Sequence, residues 1–438
     1  MMFTKAEQRQ IADKIVNFSL KIGQKDNPHY LEAIKHYPWM HHSFTVKQAQ
    51  LDSRLTEREI LNIVREYSDP LYGPVLVKHG SVYEPKRKVG HNVDIKYHPD
   101  SRELAHEIRK ACWKNGANVF WHEQRDEYVR DQYALMPENS LVEVSPVDAM
   151  LSERLDFMIH LETRDWAEWS HGIPVQKIKA SAAAKNALHE IQDRRHLRWL
   201  LVGWPHKIAA KKLGIKQDRF EKIMRSCIIT SFKPASIARV ERYHKAFEGS
   251  GDIRITADDG TDLTFSVRGR RADRDLPFFR DDDIAAGEVG MNIPSGEVFF
   301  APIETSANGV IAFKRAVIPG QGVAHQLRLT FKDGRVVKIA AKKGAGYLPA
   351  FLKQNSEDAN VIAEFGIGLN DQAEFTGGEI IIDEKILGSI HVAIGWNKGF
   401  GGRTNASSHL DFIKDLRNCN GRVYADGKLM IDKGEPVF

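Results

Sequence analysis

Apolar and polar positions follow two different rhythms along this chain, and the change from one to the other divides it. In the first part, "SRELAHEIRKACWKNG" places Leu104, Ile108 and Cys112 on one face of a helix, which Asn115 and Gly116 end. A strand-length apolar run, Asn118 to Trp121, follows at once. "RLDFMIHLE" and "RWLLVGWP" are further apolar runs of strand length. Each leads into helix-like sequence, "PVQKIKASAAAKNALHEIQD" and "PHKIAAKKLGI". Strand followed by helix, repeated, predicts a mostly parallel sheet with helices on its faces, since parallel strands need a crossover connection.

From Gly251 the period becomes two. "GDIRITADDGTDLTFSV" reads as two alternating strands around Asp259 and Gly260, and "HQLRLTFKDGRVVKIAAK" repeats the device around Asp333 and Gly334. Asp-Gly between alternating strands is the strongest local hairpin signal, because glycine takes the positive φ that the turn requires. The second part is therefore expected to be mainly antiparallel. The switch falls in "RYHKAFEGSGD", where a helical region beginning near Gln217 gives way to Gly249 and Gly251. A chain of 438 residues exceeds what one core supports, about 250–300 residues. We expect an α/β domain over residues 1–245 and a β-rich α+β domain over 246–438.

Composition narrows the partners. Hydrophobic residues make up 42% and charged residues 28%, with no run of 18 apolar positions, so a folded globular chain without a membrane span is expected. The first segment has Ile11, Ile15, Val16 and Leu20 at helical spacing with charges between them, which fits a structural helix rather than a secretory signal. The formal charge of +5 is spread among interleaved acids and bases, and the densest basic run, Lys86 to Lys88, is short, which argues against nucleic acid. Cys112, Cys227 and Cys419 are too few and too far apart for a disulfide framework, and a reducing cytoplasm is the expected location.

Candidate chemistry concentrates in the β-rich part. Glu297 in "NIPSGEVFFAPIE" opens an apolar strand, and Glu364 in "NVIAEFGIGLN" is embedded in one. His391 sits inside "SIHVAIG", and His409 and Asp411 follow a glycine-rich loop in "FGGRTNASSHLD". Imidazoles and carboxylates are natural donors for zinc, cobalt, manganese or iron. A strand-opening glutamate or a histidine in an apolar strand is by itself commonly structural. Glu364 stands apart, because apolar residues on both sides predict burial, and a buried carboxylate without a partner is costly. "KHYPWMHHSF", with His36, His41 and His42, reads as a surface or interface loop.

Taken in order, "NIPSGEVFFAP", "AEFGIGLN", "GSIHVAIG" and "FGG…SSHLD" resemble the successive signature segments of the thermophilic-type metallo-aminopeptidases, the aminopeptidase T and S group. The likeness extends upstream through "DLTFSVRGR" and "RWLLVGWPHKIAAKKLGI" and covers roughly residues 150 to 411. It implies a cytoplasmic homodimer that acts on peptides, with an N-terminal α/β domain and a two-metal centre of zinc, cobalt or manganese in the β-rich domain. By motif, Glu297 and Glu364 correspond to the two glutamate ligands, His391 and His409 to the two histidines, and Asp411 to the aspartate, with Glu297 the narrow choice for general base. The family carries a tyrosine ligand seven residues after the first histidine, and here that position is Lys398. Lys398 and Arg403 in the loop are candidate holders of a substrate carboxylate or oxyanion, and Phe299, Phe300 and Trp396 are candidate apolar walls. A related branch implies the alternative, a ring-cleaving dioxygenase of dihydroxypyridines with one iron(II) on His391, His409 and Asp411.

Overall fold

The computed structural model describes residues 3–21, 91–162, 172–195, 197–279 and 289–438. His36, His41, His42 and the Lys86–Lys88 run lie outside the described residues. The strand-helix rhythm of the first part builds a wholly parallel five-stranded sheet. Its strands are β1 (Asn92–Tyr97), β2 (Asn118–Glu123), β3 (Phe157–Leu161), β4 (Arg198–Val202) and β8 (Gly290–Ile293), in the order β2-β1-β3-β4-β8. The helix Arg102–Lys114 buries Leu104, Ala105, Ile108, Ala111 and Cys112, the face foreseen in its sequence, and Gly116 (φ 79°) turns the chain into β2. Helices Val175–Arg194, Lys207–Leu213, Gln217–Ser231 and Pro234–Phe247 fill the connections as expected.

The period-2 part forms two antiparallel sheets. The larger has eight strands: β5 (Asp252–Ala257), β6 (Thr261–Ser266), β10 (Asn308–Ile318), β11 (Gly322–Lys332), β12 (Arg335–Ala340), β16 (Arg422–Ala425), β17 (Lys428–Asp432) and β18 (Glu435–Pro436). Both Asp-Gly hairpins are present. Lys332 pairs with Arg335 across Asp333 and Gly334, whose φ values of 49° and 81° are those of a primed turn. The smaller sheet runs β15-β14-β13-β9-β7, from β7 (Asp273–Asp275), β9 (Glu297–Phe300), β13 (Ile362–Gly368), β14 (Ser389–Gly395) and β15 (His409–Asp415). One apolar cluster draws on both sheets, and Phe265 meets Phe365 and Phe313 meets Phe412 with ring centroids 5.3 Å apart in each pair.

One connection joins the two architectures. β8 completes the parallel sheet beside β4, and only Pro294, Ser295 and Gly296 separate it from β9 of the antiparallel sheet. Glu297 therefore stands just past the carboxyl end of a parallel strand, the edge at which open α/β sheets gather their ligands.

Candidate metal centre

Strand alternation explains how the chain assembles the site. Val298 and Phe300 on β9, Phe365 and Ile367 on β13, Ile390, Val392 and Ile394 on β14, and Leu410 and Phe412 on β15 belong to the cluster shared with the eight-stranded sheet. The alternate positions face the other way, and these are Glu297, Glu364, His391, His409 and Asp411. Register then brings them together: Gly366 lies opposite His391, Ala393 opposite Asp411, Gly395 opposite His409, and Gly368 opposite Glu297. The glycines leave that face open. A Cβ on Gly366 would collide with Cε1 and Nε2 of His391, so the imidazole lies directly over a position without a side chain.

Glu364 is the hub. Its Oε1 is 3.1 Å from Nε2 of His391 and its Oε2 is 3.1 Å from Nε2 of His409. Glu297 Oε2 lies 3.5 Å from His391 Nε2, and Asp411 Oδ1 lies 3.4 Å from His409 Nε2. Two donor groups result, Glu297–Glu364–His391 and Glu364–His409–Asp411, and within each the candidate ligand atoms lie within 4.8 Å of one another. His409 Nδ1 donates to the Trp396 carbonyl at 2.7 Å, which fixes the tautomer and turns Nε2 toward the carboxylates, the outer support typical of metal-binding histidines. Glu297 Oε2 is buried without a hydrogen-bond partner. Mixed imidazole and carboxylate donors with an unpartnered buried oxygen fit divalent ions.

The electrostatics have the same stamp. Burial pushes Glu297 up to about 7 against the pull of Lys385. Desolvation works against a charged His391, yet its hydrogen bond to Glu364 and the charge of Glu297 hold it up to about 9. Desolvation opposes a charged His409 too, and Asp411 and Glu364 outweigh it, raising His409 well above its ordinary range. The pocket is built to retain positive charge.

Three participants escaped the sequence reading. Lys385 is fully buried, with Nζ 3.0 Å from Asp275 Oδ2, 2.7 Å from Glu384 Oε1 and in contact with Glu297 Oε1. The signal was present in "EIIIDEKILG", where a lysine and three acids stand in an apolar run. Such burial demands partners, though sequence does not name them. Phe300 is a correction. It is fully buried in the sandwich core, because it follows Phe299 by one residue and so points to the opposite face of β9. Phe299 and Trp396 remain partly exposed and meet through Phe400, which packs 5.8 Å from the His409 ring.

The glycine-rich loop between the histidines is pinned by Glu304, which accepts from the Arg403 N–H at 2.6 Å, Asn397 Nδ2 at 3.3 Å and Arg270 at 2.7 Å. Lys398 points to Glu190 on helix Val175–Arg194, 3.8 Å away. Arg403 lines a cavity of about 570 Å³ with Arg268, Arg270 and Arg335, which none of the five donors lines. Elsewhere His98, Asp100 and His206 also gather, but His98 Nδ1 accepts from the Asp100 N–H and His206 Nε2 donates to the Glu162 carbonyl, so one nitrogen of each ring is engaged by the backbone.

Two imidazoles and three carboxylates on one sheet face, arranged as two groups with a shared glutamate, define a candidate metal-dependent hydrolase. Residues 71–408 match the thermophilic metalloprotease (M29) family, and the chain belongs to it. The metallo-aminopeptidase class expected from the four motifs is thereby borne out. The chain is 25% identical over 395 residues to aminopeptidase AmpS of Bacillus subtilis, covering 80% of this chain and 92% of that one. It is 22% identical over 353 residues to aminopeptidase PepS of Streptococcus thermophilus, covering 74% and 82%. Its fold is similar to wild-type AmpT from Thermus thermophilus, with a TM-score of 0.61 at 17% identity over 80% of this chain and 95% of that one. It is also similar to 2,5-dihydroxypyridine dioxygenase from Pseudomonas putida KT2440, with a TM-score of 0.53 at 16% identity over 80% and 92%. Among the described residues no helix is long and apolar enough to cross a membrane.

Proposed function

We propose that the chain releases N-terminal amino acids from peptides at a two-metal centre held by Glu297, Glu364, His391, His409 and Asp411. The observation that carries this reading is the pair of donor groups joined through Glu364. When bound, two divalent ions would acidify a water and polarise the scissile carbonyl. Both oxygens of Glu364 face the imidazoles and Glu297 Oε1 is held by Lys385, so Glu297 Oε2 is the free oxygen of the pair, placed either to hold an ion or to take the water's proton and return it to the leaving amine. Phe299, Trp396 and Phe400 form an apolar wall beside His409 that suits a bulky N-terminal side chain. Of the loop cations, Arg403 has the freer guanidinium and is the better holder for a substrate carboxylate, while Lys398 faces Glu190.

The one-iron alternative needs His391, His409 and Asp411 together. Here His391 groups with the two glutamates and His409 groups with Asp411 and Glu364, which supports two metals instead. Zinc, cobalt or manganese at two per chain, with release of N-terminal residues from a peptide library, is the expected result of metal analysis paired with hydrolysis assays. One iron per chain with oxygen uptake on a dihydroxylated ring would replace this reading with the oxygenase. A His391→Ala/His409→Ala variant with full peptidase activity would overturn the ligand assignment. A homodimer in the cytoplasm belongs to the same proposal, and light scattering of the purified protein tests the assembly.

A further inference from the structure

Among the described residues Lys385 is the cation in the wall of the donor cluster, and its surroundings say what it does there. It follows the short helix Ile380–Asp383, which is anchored because Asp383 accepts from the backbone N–H groups of Thr376, Gly377 and Gly378 at 2.6, 3.1 and 2.9 Å. The Lys385 carbonyl accepts from the Asn370 N–H at 2.8 Å, which ties the same backbone to the end of β13. With the backbone held at both sides, the ammonium is fully buried among Asp275, Glu297 and Glu384. Asp275 is fixed in its turn, since Oδ1 accepts from the Asn292 N–H at 2.9 Å and its residue pairs with Glu297 between β7 and β9.

The result for Glu297 is asymmetric. Oε1 is taken by the ammonium, and Oε2, without a hydrogen-bond partner, is left 3.5 Å from His391 Nε2. A carboxylate that is free to rotate would offer either oxygen, or both, to a cation. This one is presented edge-on.

We propose that Lys385 is a positioning residue that holds Glu297 Oε1 so that only Oε2 is offered to the donor group shared with Glu364 and His391. The inference rests on the two-metal reading. It differs from simple charge balance in the sign of its consequence: a lysine that only offset the carboxylates would oppose a bound cation, and its removal would tighten metal binding. A lysine that orients Glu297 supports binding, and its removal weakens it.

The test is a double-mutant cycle on zinc affinity of the full chain, read by competition with a chromophoric chelator, using Lys385→Met, Glu297→Gln and the double variant. The expected result is an affinity at least about tenfold weaker at one of two sites in Lys385→Met, a similar loss in Glu297→Gln, and no further loss in the double variant. Peptide hydrolysis by Lys385→Met should lose kcat with KM nearly unchanged, because Lys385 does not touch substrate. Unchanged or tighter zinc binding in Lys385→Met, or losses that multiply in the double variant, would overturn the proposal. If Lys385→Met does not fold, the same cycle run with Asp275→Asn and Glu384→Gln in every member removes the charges stranded around the methionine, and the same outcomes decide. Wild-type protein that binds no divalent metal would sink the two-metal reading itself, which separates its failure from that of Lys385.

Discussion

One histidine of the parallel sheet and one of the candidate-site sheet each have an enclosed ring nitrogen, and the two environments treat them in opposite ways. On β3, His160 has Nε2 buried without a hydrogen-bond partner, and its charged neighbours are Lys96 and His122. Burial first, and those cations after it, push its pKa down to about 3, so it is neutral at ordinary pH. On β14, His391 is more deeply buried, yet Glu364 and Glu297 hold its pKa up to about 9. Burial by itself expels charge, and a dry pocket keeps charge only where opposite charge has been placed within reach. That placement, rather than the histidines themselves, distinguishes the site.

The largest test removes the hub. Glu364→Gln keeps the shape and loses the charge that serves both imidazoles, and the site sheet should then behave like the parallel one. We expect metal content to collapse and hydrolysis to fall by about 10³-fold or more, about 4 kcal/mol in the barrier. Metal analysis and kcat/KM measure both, and retention of two metals would remove Glu364 from the centre of the scheme.

Next comes the glycine under the ring. Gly366→Ala adds one methyl group where Cε1 and Nε2 of His391 already lie, so the imidazole or the strand has to move. Chelator competition should show divalent affinity weaker by about 10–100-fold, the usual scale for disturbing the support of a metal ligand. Wild-type affinity in this variant would mean that the register of β13 and β14 does not set the site.

The sequence disclosed part of this and hid part for physical reasons. Helix faces and Asp-Gly turns are local, so Leu104, Ile108 and Cys112 and the hairpin at Asp333 were legible as they stand. His409 and Asp411 share a face only because the chain there is a strand, which the glycine-rich loop before them did not announce. Opposition of Gly366 to His391 depends on register between strands that are 25 residues apart in sequence, which no local pattern fixes. Gly290–Ile293 lies in the β-rich stretch and yet pairs with β4, because a strand's pattern states what it buries and not which neighbour it joins. Lys385 was visible as a buried charge, while its partners Asp275 and Glu297 come from two other strands.

The other side of the comparison is tested by acid. Because the folded-state pKa of His160 lies below its ordinary value of 6.5, folding favours the neutral ring. That contribution is fully present above about pH 6.5 and is lost as pH falls from there toward 3. His160→Gln should therefore flatten the loss of stability between pH 7 and pH 4 by on the order of 2 kcal/mol, read from urea unfolding at each pH. An unchanged pH slope would show that His160 is hydrated in the folded protein and would weaken the contrast with His391.

The smallest effect is expected at Lys398, which the resemblance in the sequence puts where a tyrosine ligand is expected and which stands at the start of a single turn, Lys398–Phe400. Its side chain is 38% exposed and lies 3.8 Å from Glu190, itself 59% exposed, so the pair is a surface contact of the kind that contributes about 0–1 kcal/mol. The loop that carries Lys398 is held by Glu304 and Asn397 through backbone N–H groups of Arg403 and Thr404, and none of these bonds involves the lysine. Lys398→Ala should then leave metal stoichiometry unchanged and alter kcat by less than about twofold, with Tm lower by about 1–2 °C at most. Loss of one metal in this variant would mean that the lysine serves the donor cluster after all, and the division between a site made by placed carboxylates and a loop that only encloses it would have to be redrawn.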